Sequence, residues 1–385
     1  MDRRKFIRVA GGGVVLGATA SLAGCSAELP REAVAAWDGP TAGDTADARR
    51  WILAHAILAP HSHNLQSWLV DLREPGEILL SCDLTRLLPE TDPQSRQIMM
   101  SQGTFLELLE IAAREKGLRA RIELFPQGVP DGAPDTRPTA RVRLQPDATV
   151  ARDPLFAQIL RRRTNREAYE PREPGAGALQ AIAASVAAPQ LRSGFVTASQ
   201  PAEMARHRAI ASRAWRIELE LPRTIMESYR VLRVGPREIA QHRDGLSINT
   251  PMVRALAAVG LFDRTQAPAP GDFATRSQIE DFDARLDATP AFFWLVSEGN
   301  DRRTQVEAGR AYVRAQLAAT ALGLSMQPLS QALQEYPEQA GPYTEVHALL
   351  QASQPRHTVQ MWARLGHAPV VGPSPRRPLE SMLRG

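Results

Sequence analysis

Apolar positions recur at helical spacing from 46 to 58 and lead into Ala59-Pro60, where a helix must stop. Two short segments of strand character follow at 67–72 and 77–82, parted by Pro75-Gly76, and together they read as a strand pair. A long helix is predicted over 97–116 with Gly117 in a capping position. Strands at 120–125 and 140–144 then flank a Pro/Gly/Asp-rich loop over 126–138.

The same order returns later in the chain. A helix over 179–188 runs into Pro189, a strand is predicted at 193–198, and a second long helix over 305–322 ends at Gly323-Leu324, as the first ends at Gly117-Leu118. Gly103 stands 14 residues before Gly117, and Gly309 stands 14 before Gly323. The interval from Pro60 to Gly103 is 43 residues, against 120 from Pro189 to Gly309, so the second copy carries about 77 more. The pattern predicts an α+β protein made of two tandem pseudo-symmetric halves, 46–150 and 151–385, with a largely helical insertion over 200–285. An insertion of that length is a candidate lid; additional helical packing on the outside is the plainer alternative.

The first residues follow a different pattern. A charged stretch, Asp2 to Arg8, precedes a weakly apolar, Gly/Ala-rich run from Val9 to Ala23, too short to span ~30 Å of hydrocarbon stably. Arg3-Arg4 followed by Phe6 resembles a twin-arginine export signal, and Leu22-Ala23-Gly24-Cys25 resembles a lipobox. On this reading 1–24 is a signal peptide, Cys25 is acylated, and 25–45, aperiodic and rich in Ala, Gly, Pro and acidic residues, is a flexible tether. The mature protein is then expected on the periplasmic side of the cell envelope, lipid-anchored.

Composition changes the picture in two places. The 385 residues carry 46 Lys+Arg against 42 Asp+Glu, a formal net charge of +4, but Arg3, Arg4, Lys5 and Arg8 against Asp2 supply +3 of it. The remainder is close to neutral, which removes the argument for a nucleic-acid partner. Only two cysteines are present, so a disulfide scaffold is excluded; Cys82 reads as a small apolar residue of a strand in preference to a reactive thiol. His61 and His63 form an HxH pair without a third metal ligand at useful spacing, and no GxSxG, Walker or GxGxxG motif occurs in the required context.

Candidate chemistry lies in three clusters. The turn from Ala59 through Pro60, His61, Ser62, His63 and Asn64 to Trp68 gathers N–H groups, hydroxyls and amides, suited to the polar edge of a planar heterocycle, although such a turn can also cap itself. Arg161-Arg162-Arg163-Thr164-Asn165-Arg166 concentrates guanidinium groups that repel one another unless an anion or carboxylates neutralise them; a solvated basic face is the alternative. Near the C-terminus, prolines hold Arg376 and Arg377 in an extended segment.

Taken in order, these motifs resemble the flavin-binding nitroreductase superfamily, most closely its Acg-type branch, in which one chain carries both halves of what is elsewhere a homodimer. The resemblance covers about 46–385 and implies a nitroreductase-like fold and one FMN per chain. It implies that Arg162, Arg376 and Arg377 hold the FMN phosphate and that Arg166 faces the pyrimidine edge. Thr164 belongs to the same basic motif, Pro60, His61, Ser62 and Asn64 contact the flavin from the other half, and Pro328, Leu329 and Ser330 approach its reactive nitrogen. His61 stands where a serine is usual, Ser67 replaces a proline, and Ser330-Gln331 replaces a Glu-Gly pair. The implied function is an exported FMN-dependent oxidoreductase passing electrons to a small acceptor such as a nitroaromatic or quinone, and a monomer of pseudo-dimeric architecture. FMN storage without turnover and a lipid-tethered interaction protein are the alternatives.

Overall fold

The computed structural model describes residues 28–186, 188–260 and 262–384, so the expected signal peptide and Cys25 lie outside the described residues. The elements are α1 (Arg31–Val34), α2 (Ala48–Ala56), β1 (Trp68–Asp71), β2 (Glu77–Cys82), α3 (Arg96–Glu115), β3 (Leu118–Leu124) and β4 (Pro138–Pro146). They continue with α4 (Ala176–Ser185), β5 (Leu191–Thr197), α5 (Pro201–Glu220), α6 (Pro222–Arg230), β6 (Leu232–Val234), α7 (Gly235–His242), β7 (Leu246–Ile248), α8 (Pro251–Ala258) and α9 (Phe273–Asp287). The last are β8 (Ala291–Glu298), α10 (Arg302–Ala321), β9 (Ser325–Pro328), α11 (Ala340–Leu349), β10 (His357–Gly366) and β11 (Leu383–Arg384). Among the described residues, no helix is long and apolar enough to cross a membrane.

The duplication is visible in the sheets. One is ordered β11-β1-β2-β4-β3 and the other β5-β8-β10-β9, so each half repeats the same four-strand antiparallel order. Local chemistry sets the matching helices: Asp47 accepts from the N–H of Arg49 at the start of α2, and Asp301 accepts from that of Thr304 at the start of α10. Gly117 and Gly323 follow α3 and α10 with φ of 67° and 70°, the left-handed turn that glycine adopts without a Cβ penalty.

The long helices α3 and α10 pack on each other at their glycines. A Cβ on Gly103 would lie 1.9 Å from the carbonyl oxygen of Val306, and one on Gly309 would lie 1.9 Å from that of Met100. Only residues without a Cβ allow this crossing, which brings the two halves together along one seam. Val306, Val313 and Leu317 of α10 complete the core of the first half, beside Phe105, Leu109 and Trp68.

The insertion is the link between β5 and β8, where the first half has only residues 72–76 between β1 and β2. It contains α5 to α9 and the parallel pair β6–β7, and it has a small core of its own around Leu219, Ile225, Tyr229, Val253 and Ile279.

Two expectations change. The segment expected as a free tether is folded over 31–46: Ala33 and Trp37 are buried, the carbonyl of Ala33 accepts from the N–H of Arg376, and Trp37 Nε1 donates to the carbonyl of Ser374 at 2.8 Å. Its aperiodic composition gave no sign of this, because the partners lie more than 330 residues away. The second half also does not end in its own sheet. Its C-terminal tail crosses to the first half, where β11 pairs parallel with β1 through Val70–Leu383 and Asp71–Arg384.

Candidate functional site

The turn after α2 is built by its own side chains. His63, Asn64 and Gln66 take left-handed backbone conformations with φ of 47°, 54° and 56°, uncommon for residues with a side chain and retained only where the surroundings over-determine them. His61 supplies part of that constraint: the Ser67 N–H donates to its Nε2 at 3.0 Å, which leaves Nδ1 to donate to the Ser62 carbonyl at 2.8 Å. Burial, with the nearby Arg376 charge, pulls the His61 pKa down to about 3, so the ring stays neutral and in one tautomer. Its second face packs edge-on against Trp68, with centroids 5.1 Å apart.

The other predicted members of the turn are also engaged. Pro60 offers its carbonyl to Thr104 Oγ1 at 2.7 Å, and Ser62 Oγ lies 3.3 Å from Gln97 Oε1. Asn64 Oδ1 accepts from Arg376 Nη1 at 2.6 Å, while its Nδ2 donates to the carbonyls of Pro375 and Gly245. The amide of Asn64 therefore serves the C-terminal tail and the insertion, and the side chain of His61 serves the turn itself. The polar side-chain atoms of both thus have partners within the protein.

Arg162 and Arg376 meet beneath this turn although 214 positions separate them in the chain. They are 2% and 3% exposed, and an Nη2 of each donates to the carbonyl of Leu58, at 2.8 and 3.3 Å. Arg162 Nη1 also reaches Gln316 Oε1 at 3.2 Å. The Nε atoms of both are buried without a partner, and so is the Tyr312 hydroxyl near Arg162. Among the described residues no carboxylate forms an ion pair with Arg162, Arg163, Arg166 or Arg376. Desolvation accordingly lowers the Arg162 pKa to about 10, and it lowers that of Arg376 well below the ordinary value, with Arg162 and Arg163 adding to the effect.

Trp37, which sequence reasoning missed, lies against this group. The guanidinium carbons of Arg163, Arg376 and Arg162 are 4.2, 5.1 and 5.5 Å from its ring centroid. Tyr312 and Gln316 were missed as well. They occur three and seven residues after Gly309, on the stripe of α10 that periodicity alone assigns to the core.

Arg166 extends the cluster. It is exposed, yet the surrounding protein desolvates it and lowers its pKa, with Tyr312 and Tyr169 close enough to oppose that shift. No hydrogen bond or ion pair holds it among the described residues. His63 lies near enough that burial and then the Arg166 charge lower its pKa to about 4, and its Nε2 is 3.4 Å from Ser228 Oγ of the insertion. Thr164 bridges in parallel to Met326 and receives Gln316 Nε2 at 3.4 Å. This places the basic motif beside β9, whose end Pro328 carries the chain to Leu329 and Ser330. Leu329 is buried in the second core and donates its N–H to the Trp362 carbonyl, and Ser330 starts a short 3-10 turn.

Arg377 does not join Arg162 and Arg376. Its N–H donates to Gln66 Oε1 at 2.8 Å, and its guanidinium reaches the carbonyls of Gln66 and Ser381. Adjacent residues of an extended segment point to opposite sides, so the pair of prolines that presents Arg376 inward turns Arg377 away.

The insertion is clasped onto the turn. Gly245 donates its N–H to the Asn64 carbonyl, Gln66 Nε2 donates to the Arg243 carbonyl, and Asp244 forms ion pairs with Arg86 and Arg233. Glu227 of α6 accepts from the N–H groups of Glu90 and Thr91 and from Thr91 Oγ1.

Comparison with known proteins finds similar chains. Two Mycobacterium tuberculosis proteins, from strains CDC 1551 / Oshkosh and H37Rv, carry the provisional name NAD(P)H nitroreductase. Each is 28% identical to this chain over 360 residues, covering 90% of it and 94% of the relative. Among solved structures, the FMN- and NADPH-dependent nitroreductase NfnB from sphigopyxis sp. strain HMH is 16% identical with a TM-score of 0.38, covering 60% of this chain and 98% of that one. The Mycobacterium smegmatis NfnB in complex with NADPH is 18% identical with a TM-score of 0.37, covering 59% and 96%. No family model matches the chain.

Proposed function

We propose that this chain is an exported, FMN-dependent oxidoreductase of nitroreductase type, with one cofactor site per chain. The observation that carries the reading is the set of desolvated arginines without carboxylates, with the Nε atoms of Arg162 and Arg376 and the hydroxyl of Tyr312 left unpartnered. That donor set suits a phosphate, whose oxygens accept several charge-assisted hydrogen bonds at once. The names of the two mycobacterial relatives support the same direction.

On this reading Arg162 and Arg376 hold the phosphate, and Trp37 covers it. Arg166 sets a positive charge against the heterocycle, where it favours a reduced, anionic ring. Thr164, Pro328 and Ser330 line the approach between the basic motif and β9. The bound flavin would supply two-electron transfer to an acceptor such as a nitroaromatic or quinone. The protein contributes binding, charge and exclusion of water, the last through the insertion. The resemblance of 1–25 to a twin-arginine lipoprotein signal supports export and acylation of Cys25. The pseudo-dimeric halves in one chain support a monomer.

A second reading has an observation in its favour. The bonds from Ser228, Arg243, Asp244 and Gly245 to the turn and its neighbour Arg86 hold the insertion closed, as a store that shields FMN without turnover would require. One experiment separates the two. The purified protein is expected to show flavin absorbance that bleaches with a reduced nicotinamide or another electron donor of the envelope and returns on adding a nitroaromatic. A flavin that no donor bleaches supports storage, and a colourless protein that takes up no FMN defeats both.

A further inference from the structure

The folded N-terminal segment leaves very little chain between Cys25 and the body. Asn249 Nδ2 donates to the Glu28 carbonyl at 2.9 Å, so the chain is held against the insertion three residues after the cysteine. Three residues reach at most about 11 Å when extended. An acyl chain on Cys25 therefore brings the bilayer surface to the part of the insertion that begins at Asn249.

That part is built for it. Helix α8 starts two residues after Asn249 and exposes Pro251, Met252, Ala255, Ala258 and, just beyond its end, Val259. These positions share one helical face, and Met252 and Val259 are 43% and 67% exposed. The opposite face seats Val253 in the core of the insertion. Arg254 is exposed and lies against Gly235, at the start of α7, whose Arg237 is also exposed. Neither arginine forms an ion pair among the described residues. An apolar stripe rimmed by uncompensated arginines is the composition that settles into an anionic headgroup layer.

We propose that α8 is a membrane-contact surface, which rests on an anionic phospholipid layer when Cys25 is acylated and presses the insertion against the envelope membrane. The proposal rests on the acylation of Cys25 proposed above. The anchor holds the body at the bilayer; the stripe decides which face meets it. Since the same insertion is clasped onto the turn from His61 to Gln66, the membrane would bear on the element that closes the candidate site.

The test uses the full acylated protein in vesicles of phosphatidylglycerol and phosphatidylethanolamine. Met252→Cys and Val259→Cys are each labelled with an environment-sensitive fluorophore, with Val370→Cys, fully exposed and distant in sequence, as the reference. Burial holds the Cys82 thiol pKa up at about 12, which keeps that cysteine out of the labelling. The expected result is a blue shift and quenching by nitroxide lipids at 252 and 259, with neither at 370. Equal solvent exposure at all three sites, in protein whose mass shows the acyl addition, would overturn the membrane surface while leaving the anchor intact. Shielding at 252 and 259 that appears without lipid and grows with protein concentration would overturn it in favour of contact between two copies. A mass without acyl addition removes the anchor and the proposal with it.

Discussion

Two groups of arginines stand about the seam between the halves, and they are treated in opposite ways. Arg310 and Arg314 of α10 meet Glu107 at 2.9 and 2.8 Å, Glu110 and Asp153 complete the group, and the surrounding carboxylates raise both arginine pKa values against the effect of burial. Arg162 and Arg376 have no such partners, and burial lowers theirs. The contrast continues at the pseudo-equivalent place. The residues three and seven positions after Gly103 are Leu106 and Glu110, where Gly309 is followed by Tyr312 and Gln316. The cleft there, about 270 Å³, contains Arg114 and Arg119, but Glu110 and Asp147 neutralise them. At one place of a duplicated architecture the arginines are neutralised by carboxylates, and at the other, among the described residues, Arg162 and Arg376 are buried without one.

The comparison is open to attack where its effects are largest. Glu107→Gln leaves two largely buried guanidinium groups short of a counter-charge and is expected to cost about 3 kcal/mol of unfolding free energy, read from urea midpoints, with flavin content unchanged. Arg162→Ala should do the reverse. The loss of one charged hydrogen-bond donor, about 2 kcal/mol, weakens FMN binding roughly 30-fold while the urea midpoint changes less than in Glu107→Gln. Equal flavin loss in both variants would erase the distinction between the two groups.

Smaller effects refine it. Trp37→Ala removes an aromatic face from three guanidinium groups and is expected to weaken FMN retention roughly fivefold, from a contact of about 1 kcal/mol; a filtration assay for released flavin reads it. A separate effect is on pH dependence. Burial, and then the charges of Arg376 and Arg166, depress the pKa values of His61 and His63 to about 3 and about 4 from 6.5. The native state favours the neutral rings, so their contribution is complete above about pH 6.5 and is lost as the pH falls towards 4 and then 3. Urea midpoints should therefore decline below pH 6.5, and His63→Gln should flatten part of that decline.

The legible part of the fold was the part with local periodicity. The long helix expected over 97–116 is α3, that over 305–322 is α10, and their capping glycines stand where they were expected. The repeat that they implied appears as two sheets of identical strand order. The basic motif was legible as a concentration of like charge that needs an explanation, and Arg162 and Arg166 do lie beside the same residue, Tyr312. Arg377 was not separable from Arg376 by sequence, since which neighbour points inward depends on how the tail meets Gln66. His61 and Asn64 read as ligand contacts because their chemistry fits; the turn that they sit in needs the same groups to hold three left-handed residues.

By itself the sequence determined the elements, the duplication and the charge that the site would have to manage, because periodicity, caps and clustered arginines are encoded over a few residues at a time. Only the tertiary structure decided which cations are satisfied. Arg314 finds Glu107 at a separation of 207 residues, and Trp37 reaches Ser374 across 337, so no local pattern records either contact. A charge and its neutralisation are specified in different parts of the chain, and the free energy of burying one depends on whether folding delivers the other.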